Sequence, residues 1–210
     1  MILLIVSLNT ALFGASMDYS LYRDMGALNS VFENAGFNHE FDDKNWDWSW
    51  SAFVVQRGFM MGIQNVSGEQ NIEMEQLAAN ITFDARMYEV GYLLDMNRAM
   101  LYAKGGGGYT NAHLFLTSIA DSTTFTGILR DPGGSAHITG SGLSLSINAG
   151  IAIPLSDYLG VGGEVGYIHA LKKPDWKLAE GGQVYGGPDM DLSHFYLKVG
   201  AIIGEFVSNR

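Results

Sequence analysis

The segment Leu143-Ser-Leu-Ser-Ile-Asn-Ala-Gly-Ile-Ala-Ile153 alternates between two kinds of side chain with a period of two residues. Its odd positions carry Leu, Ile or Ala, and its even positions carry Ser, Asn, Gly or Ala. Successive side chains of a β-strand point to opposite faces of the sheet. The segment therefore predicts a strand with one apolar face and one face of small, mostly polar residues.

The same alternation recurs in segments 77–87, 159–167 and 195–203, and the apolar residues occupy odd positions in each. Noisier segments complete a set of eight antiparallel strands, and a slip in parity near Tyr88–Gly91 predicts a β-bulge. One stretch, 24–35, has helical periodicity and is followed by Gly36 as a stop signal. The predicted strands span residues 11–23, 46–55, 58–66, 70–94, 98–118, 137–155, 158–171 and 191–207.

The predicted links between strands are tight turns on one side and mostly long loops on the other. An even number of strands with this asymmetry is the arrangement of an outer-membrane barrel. It places both chain ends at the short-turn end. The tight links are 56–57, 95–97 and 156–157, and the links of the opposite end are 24–45, 67–69, 119–136 and 172–190.

Composition narrows the class of protein. The 210 residues include 12 Lys and Arg against 22 Asp and Glu, a formal charge of −10, and they include 27 Gly and no Cys. An aromatic fraction of 12% excludes a disordered chain, the lack of Cys excludes a disulfide scaffold, and the acidic balance argues against nucleic-acid binding. Only 16% of residues are charged, whereas a water-facing sheet carries many Lys and Glu. We therefore predict an inverted barrel, with apolar side chains outside and polar ones inside.

Four segments support this prediction by resemblance. Ile151-Ala-Ile-Pro-Leu-Ser-Asp-Tyr-Leu-Gly-Val-Gly-Gly-Glu-Val-Gly-Tyr167 resembles the late hairpin of small bacterial outer-membrane β-barrel proteins of the OmpA/OmpX-like superfamily. Leu192-Ser-His-Phe-Tyr-Leu-Lys-Val-Gly-Ala201 resembles their last strand, and segments 27–37 and 104–109 are similar to features of an uncharacterised branch. Such barrels often finish on a terminal aromatic residue used in assembly, whereas here Phe206 is followed by Val-Ser-Asn-Arg.

The resemblance implies a fold and a location. The expected fold is all-β, an eight-stranded antiparallel up-and-down transmembrane β-barrel with a short helix in the first long loop. The expected location is the bacterial outer membrane, with the lipid bilayer as partner and any surface ligand unknown. Residues 1–16 resemble a signal-peptide remnant, with an ordinary strand as the alternative, and residues 17–210 are predicted to form one barrel domain.

Charged residues on the predicted polar faces form a candidate lumen network. Asp84, Arg86, Glu164 and Lys198 have mixed signs, and buried charges are usually paired. We predict that Arg86 pairs with Glu164 inside the barrel. A second set consists of aromatic residues expected at the membrane interface, namely Trp46, Trp48, Trp50 and Tyr167.

The sequence predicts no catalytic residue, no cofactor and no metal ligand. Ser193 and His194 are neighbours on one strand, so they point to opposite faces and cannot form a dyad, although a Ser and a His from different strands could. The five His residues lack the spacing of a helical metal pair. The predicted function is a non-enzymatic envelope or surface-interaction role, and the alternatives are a narrow transport pore and a soluble, lipocalin-like calyx for an apolar ligand.

Overall fold

The computed structural model describes residues 10–21, 23–38, 40–73, 77–96, 98–118, 125–130 and 134–205. Eight long strands close into an antiparallel barrel, because each pairs with the next in the order β1 to β7, then β9, and β9 pairs back with β1. The predicted fold class is confirmed. The strands are β1 Thr10–Leu21, β2 Asn45–Gln56, β3 Phe59–Glu73, β4 Ala78–Asp95, β5 Met100–Ser118, β6 Gly134–Pro154, β7 Leu159–Ala170, the short β8 Asp175–Leu178 and β9 His194–Gly204.

Two helices lie at the long-loop end. The helix α1, Gly26–Asn34, is the helix that the sequence predicted over 24–35, and Gly36 follows it with a φ of 94°. The helix α2, Phe125–Arg130, and the strand β8, which pairs with β6, were not predicted. Neither helix is long and apolar enough to span a membrane, in the part of the chain that the structure describes.

The strand boundaries near the start of the chain differ from the predictions. β1 spans Thr10–Leu21, where the prediction was 11–23, and it pairs with both β2 and β9. The division into residues 1–16 and 17–210 stays a prediction. Residues 1–9 of the predicted signal remnant lie outside the described residues. β3 continues through the predicted link at 67–69 and ends only at Glu73.

Turn chemistry explains one of the tight links. Arg57 and Gly58 connect β2 to β3 with φ values of 52° and 83°. A two-residue hairpin with positive φ at both positions matches the right-handed twist of the flanking strands. A side chain at Gly58 would also meet the ring of Tyr92, so this turn requires glycine sterically as well.

On β6, β7 and β9 the direction of the side chains confirms the predicted inverted barrel, with apolar residues outside. Leu145, Val161 and Leu197 are 48%, 42% and 50% exposed on the outer surface of the barrel. The alternating Ser144 and Ser146 are buried in the lumen. The outer wall of these strands is therefore a continuous apolar surface, and a bilayer is the solvent that such a surface requires.

The strand β4 contradicts the predicted parity. The odd residues from Leu77, just before β4, to Met87 are buried inside the barrel, and the even residues of β4, including Arg86, face outward. The predicted bulge near Tyr88–Gly91 is also wrong, because β3 and β4 pair in one unbroken register from Phe59–Tyr92 to Glu73–Ala78. The chemical nature of each face changes along the strand, and the backbone geometry does not.

This change in the character of the two faces occurs at one level on four neighbouring strands. We call this level the boundary. Toward the short-turn end, the outward residues are apolar, and the inward residues are polar or small except for a few buried apolar side chains such as Met60 and Met87. Toward the long-loop end the two faces exchange character. The outward change falls between Ile63 and Asn65 on β3, Tyr88 and Arg86 on β4, Tyr109 and Asn111 on β5, and Leu143 and Ser141 on β6.

Below the boundary, the apolar outer wall has the height of a thin bilayer core. On β6 the outward apolar residues run from Leu143 to Ile153. Ten residues at about 3.3 Å each, tilted by about 40°, rise about 25 Å, the height of the apolar band in outer-membrane barrels.

Above the boundary, β3 to β6 form a wall whose inner face supports a hydrophobic core, which we call the cap. Met25, Leu28 and Phe32 of the α1 region pack there against Ile81 and Leu114 of the wall. Phe125 and Leu129 of α2 and Trp176 of β8 complete the same core. The cap is thus a hydrophobic core shared by the long-loop segments and the upper part of the barrel wall.

Candidate functional site

The lumen below the cap contains a network of buried charges centred on Lys104 of β5. Its ammonium lies 2.8 Å from Glu89 of β4 and 3.1 Å from Glu164 of β7. All three side chains are at most 2% exposed. Lys104 also donates a hydrogen bond to the Gln64 side-chain oxygen of β3, 2.5 Å away. One cation therefore links three strands across the barrel axis.

Neutral polar groups complete the network. Ser146 donates a hydrogen bond of 2.7 Å to Glu89, and Asn148 donates to the same carboxylate oxygen. The Tyr196 hydroxyl lies 2.8 Å from Glu164 and 2.5 Å from the Asn148 side-chain oxygen, and it accepts a hydrogen bond from Gln64. Each carboxylate thus has both an ion-pair partner and hydrogen-bond donors, which a buried ion pair needs to offset its desolvation.

A second polar cluster lies nearer the cap. Arg23, just after β1, contacts the Asp47 carboxylate at 3.1 Å, and the Ser20 hydroxyl also donates to Asp47. The Arg23 guanidinium lies 4.3 Å from the ring centre of Phe83, which belongs to the cap core. Arg23 therefore joins the polar lumen to the apolar cap above it.

Apolar side chains surround a small cavity at the short-turn end. Leu12, Phe53 and Met60 pack together there. A cavity of about 60 Å³ lies above them, and Lys104, Glu164 and Lys198 line its inner end. Within the described residues, the lumen thus consists of an apolar mouth, a polar network and an apolar cap in series.

The structure separates the four charged residues that the sequence grouped together. Glu164 and Lys198 lie in the lumen, and the Lys198 ammonium is 3.9 Å from the Glu164 carboxylate. Arg86 is exposed on the outer wall, and Asp84 is half-exposed beside His113, 3.7 Å away. The predicted Arg86–Glu164 pair is wrong because β4 presents its even residues outward.

The sequence analysis missed the pair at the centre of the network. Glu89 lies in the stretch that was interpreted as a bulge, and Lys104 precedes the run Gly105–Gly108. The signal in the sequence was the isolated charge: Glu89 is a single charged residue in an aromatic strand segment, and Lys104 is one in a glycine-rich strand segment. Gly106 and Gly108 face inward with the β4 backbone directly beside them, so Lys104 is the one long side chain of this inward run.

The four predicted interfacial aromatics lie at the long-loop end of the apolar wall. Trp46 and Trp48 are 62% and 67% exposed, and Trp50 is similarly oriented. Trp46 packs against Tyr19 with ring centres 4.8 Å apart, and Tyr167 packs against Phe195 at 4.5 Å. Their assignment as an interfacial belt remains a prediction.

A Ser and a His from different strands do approach each other near the ends of β7 and β9. The Ser193 hydroxyl lies 3.4 Å from His169 Nδ1, but it accepts a hydrogen bond from the Ala170 N–H and is hydrogen-bonded to Asp191. Burial acts to raise the pKa of Asp191, but hydrogen bonds from Ser193 and the charges of His169 and Lys173 together hold that pKa below its ordinary value. Asp191 is thus hydrogen-bonded to the serine, whereas the carboxylate of a catalytic triad is hydrogen-bonded to the imidazole.

Comparison with solved structures places the fold in a known class. No protein-family model matches the sequence, and no curated protein matches it significantly. The chain is similar to Neisserial surface protein A (NspA), with a TM-score of 0.58, 6% identity, and coverage of 94% of this chain and 97% of that one.

Two further structures agree. A major outer membrane protein from Thermus thermophilus has a TM-score of 0.53 and 10% identity, over 92% of this chain and 98% of its own. Ail, the attachment invasion locus protein of Yersinia pestis, has a TM-score of 0.50 and 11% identity, over 93% and 97%. The fold and the apolar outer wall together define a transmembrane β-barrel of the outer-membrane class, as the sequence predicted.

Proposed function

We propose that this protein is a closed, non-enzymatic barrel of the bacterial outer membrane that holds the cap at the membrane surface. Its role is structural or one of surface interaction. The observation that carries the proposal is the filling of the lumen, in which Lys104 bridges Glu89 and Glu164 between two apolar clusters. A barrel of eight strands has an interior that side chains just fill.

The outer wall argues against a soluble calyx. A lipocalin-like carrier faces water with its outer surface and holds an apolar ligand inside. Here Ile147 and Val199 are about 70% exposed on the outside, at 69% and 71%, while ion pairs occupy the inside. The protein should require detergent for extraction, and purification from the aqueous fraction in folded form would contradict the membrane assignment.

The exposed side of the cap region indicates what kind of partner it disfavours. Ail was solved in complex with the heparin analogue sucrose octasulfate, a polyanion. In this chain the first long loop exposes Asp24, Glu33, Glu40, Asp42 and Asp43. Such a surface repels sulfated polyanions, so we infer that a surface partner would be neutral or basic.

A narrow pore is the second candidate, because the cavity at the short-turn end reaches the Lys104 network. Conductance in planar bilayers separates the two functions. We expect no channel steps from the wild-type barrel, and steady single-channel currents would favour the pore.

Two double variants locate the barrier to ion flow through the barrel. Lys104→Ala combined with Glu164→Ala removes opposite charges from the lumen and should allow at least transient currents. Asp84→Ala combined with Arg86→Ala removes the same charges from the outer wall and should leave the barrel closed. If neither variant conducts, the cap is the main barrier.

A further inference from the structure

Two histidines meet on the outer wall above the boundary, in a place that the proposed function does not use. His113 of β5 and His137 of β6 lie diagonally across the strand pair, since their partners in register are Thr139 and Phe115. His113 Nδ1 is 3.3 Å from His137 Nε2. The sequence gives no hint of this pair, because 23 residues and a long loop separate the two positions.

We propose that His113 and His137 form a binding site for a divalent transition-metal ion of the zinc class. Zn²⁺ binds imidazole nitrogens at about 2.0–2.1 Å in tetrahedral geometry, which places two ligand nitrogens about 3.3–3.4 Å apart. The observed separation of 3.3 Å matches that edge. The metal would replace the proton that the two rings otherwise share.

A carboxylate lies on the side of His113 that faces away from the proposed metal, where metal-binding histidines often have one. Asp84 of β4 lies 3.7 Å from His113 Nε2, the nitrogen that does not face His137. Metal-ligating imidazoles usually donate their second N–H to a carboxylate or carbonyl, which fixes the tautomer and makes the ligand nitrogen more basic. At 3.7 Å the two groups are too far apart for a hydrogen bond, but the negative charge of Asp84 favours the tautomer of His113 that carries its proton on Nε2 and leaves Nδ1 free for a metal.

The second ring is held by packing. Phe115 stacks on His137 with ring centres 3.9 Å apart and planes 20° apart. His113 and its partner are both part-exposed, so a hydrated ion can reach them from solvent. A ligand ring fixed by stacking loses less entropy when it binds, and this lowers the cost of forming the site.

The site is an open one. No group of three or more His, Cys, Asp or Glu is arranged to hold a metal among the described residues. Two imidazoles would supply half of a tetrahedral shell, and water would complete it. Nitrogen ligands select Zn²⁺, Cu²⁺ or Ni²⁺ over Mg²⁺ and Ca²⁺, which prefer oxygen. A bound ion would link β5 to β6 in the wall that supports the cap.

Isothermal titration calorimetry of the full barrel in detergent, with Zn²⁺ as the titrant, tests the proposal. We expect saturable binding of one ion per chain, which His113→Gln or His137→Gln abolishes. His169→Gln, at an exposed histidine of β7 outside the pair, is the matched control and should bind as the wild type does. Mg²⁺ at the same concentration should show no binding that depends on these residues.

Two further measurements separate a metal site from a hydrogen-bonded pair. Asp84→Asn should weaken zinc binding about 10- to 100-fold, as is usual for carboxylates behind a ligating histidine. Zinc should raise the melting temperature of the wild type and leave that of His137→Gln unchanged. The proposal is overturned if zinc binding is absent or unsaturable, or if it survives both glutamine variants, because the rings would then form only a hydrogen bond.

Discussion

The two halves of the molecule share four strands and have opposite solvent preferences. Below the boundary, β3 to β6 bury Gln64, Glu89 and Lys104 and expose aliphatic and aromatic residues. Above it, the same strands bury Ile81 and Leu114 and expose polar residues. The lower half follows the rule for a barrel in lipid, and the upper half follows the rule for a domain in water. A single strand can therefore satisfy both solvents with one register.

The largest expected effect tests the polar interior of the lower half. Lys104→Met leaves Glu89 buried without its cation and leaves Glu164 with Lys198 alone, 3.9 Å away. Breaking a buried ion pair in this way costs about 3–5 kcal/mol, so the free energy of unfolding should fall by that amount. Urea unfolding in lipid vesicles, followed by tryptophan fluorescence, measures it.

Arg86→Met is the matched control for Lys104→Met, because Arg86 is a cation on the outer wall. Its loss should change stability by less than about 1 kcal/mol, as for an exposed charge. Equal effects of the two substitutions would contradict the assignment of Lys104 to the lumen core.

The next effect tests the apolar interior of the upper half. Leu114 is fully buried in the cap core, and Leu114→Ala should cost about 2–5 kcal/mol through lost burial and the cavity left behind. Because the cap lies above the membrane, we expect loosening of the cap with the transmembrane part still folded. Limited proteolysis should then cleave the long loops faster, while migration of the unheated protein on a gel is unchanged.

A third test places one charge on the same face of the same strand in both halves. Ile147→Arg puts a cation into the lipid-facing wall and should cost about 2–4 kcal/mol. Ser141→Arg lies above the boundary in water and should change the free energy of unfolding by no more than about 0.5 kcal/mol. A cost for Ser141→Arg as large as that for Ile147→Arg would place the boundary closer to the long-loop end.

The sequence was sufficient for the parts of the fold that depend on local periodicity. Eight strands, the helix α1 and the outward direction of Leu145, Val161 and Leu197 followed from alternation and composition. It was insufficient for β4, because alternation shows that one face is apolar without showing on which side of the wall it lies. On β4 the apolar face is outward below the boundary and inward above it, with no change in register. In the sequence alone, this exchange looks like the parity slip of a bulge.

The candidate sites were harder to predict from the sequence, for the same reason and for a second one. Lys104 meets Glu89 and Glu164 across the barrel, and His113 meets His137 across a strand pair, so both groupings depend on register. No spacing along the chain encodes them. Of the four predicted network residues, Glu164 and Lys198 reach the lumen because β7 and β9 lie within the membrane part, where one parity holds throughout.

The seam between β1 and β9 gives the cap a place in the order of folding. Met25 follows β1, Leu192 precedes β9, and both are buried in the cap core. These flanking segments are distant in the chain and come together when the first and last strands pair. Since contacts between distant parts of a chain form late, the cap core should consolidate at the end of assembly. Protection of Met25 from solvent would then report that the cylinder has closed.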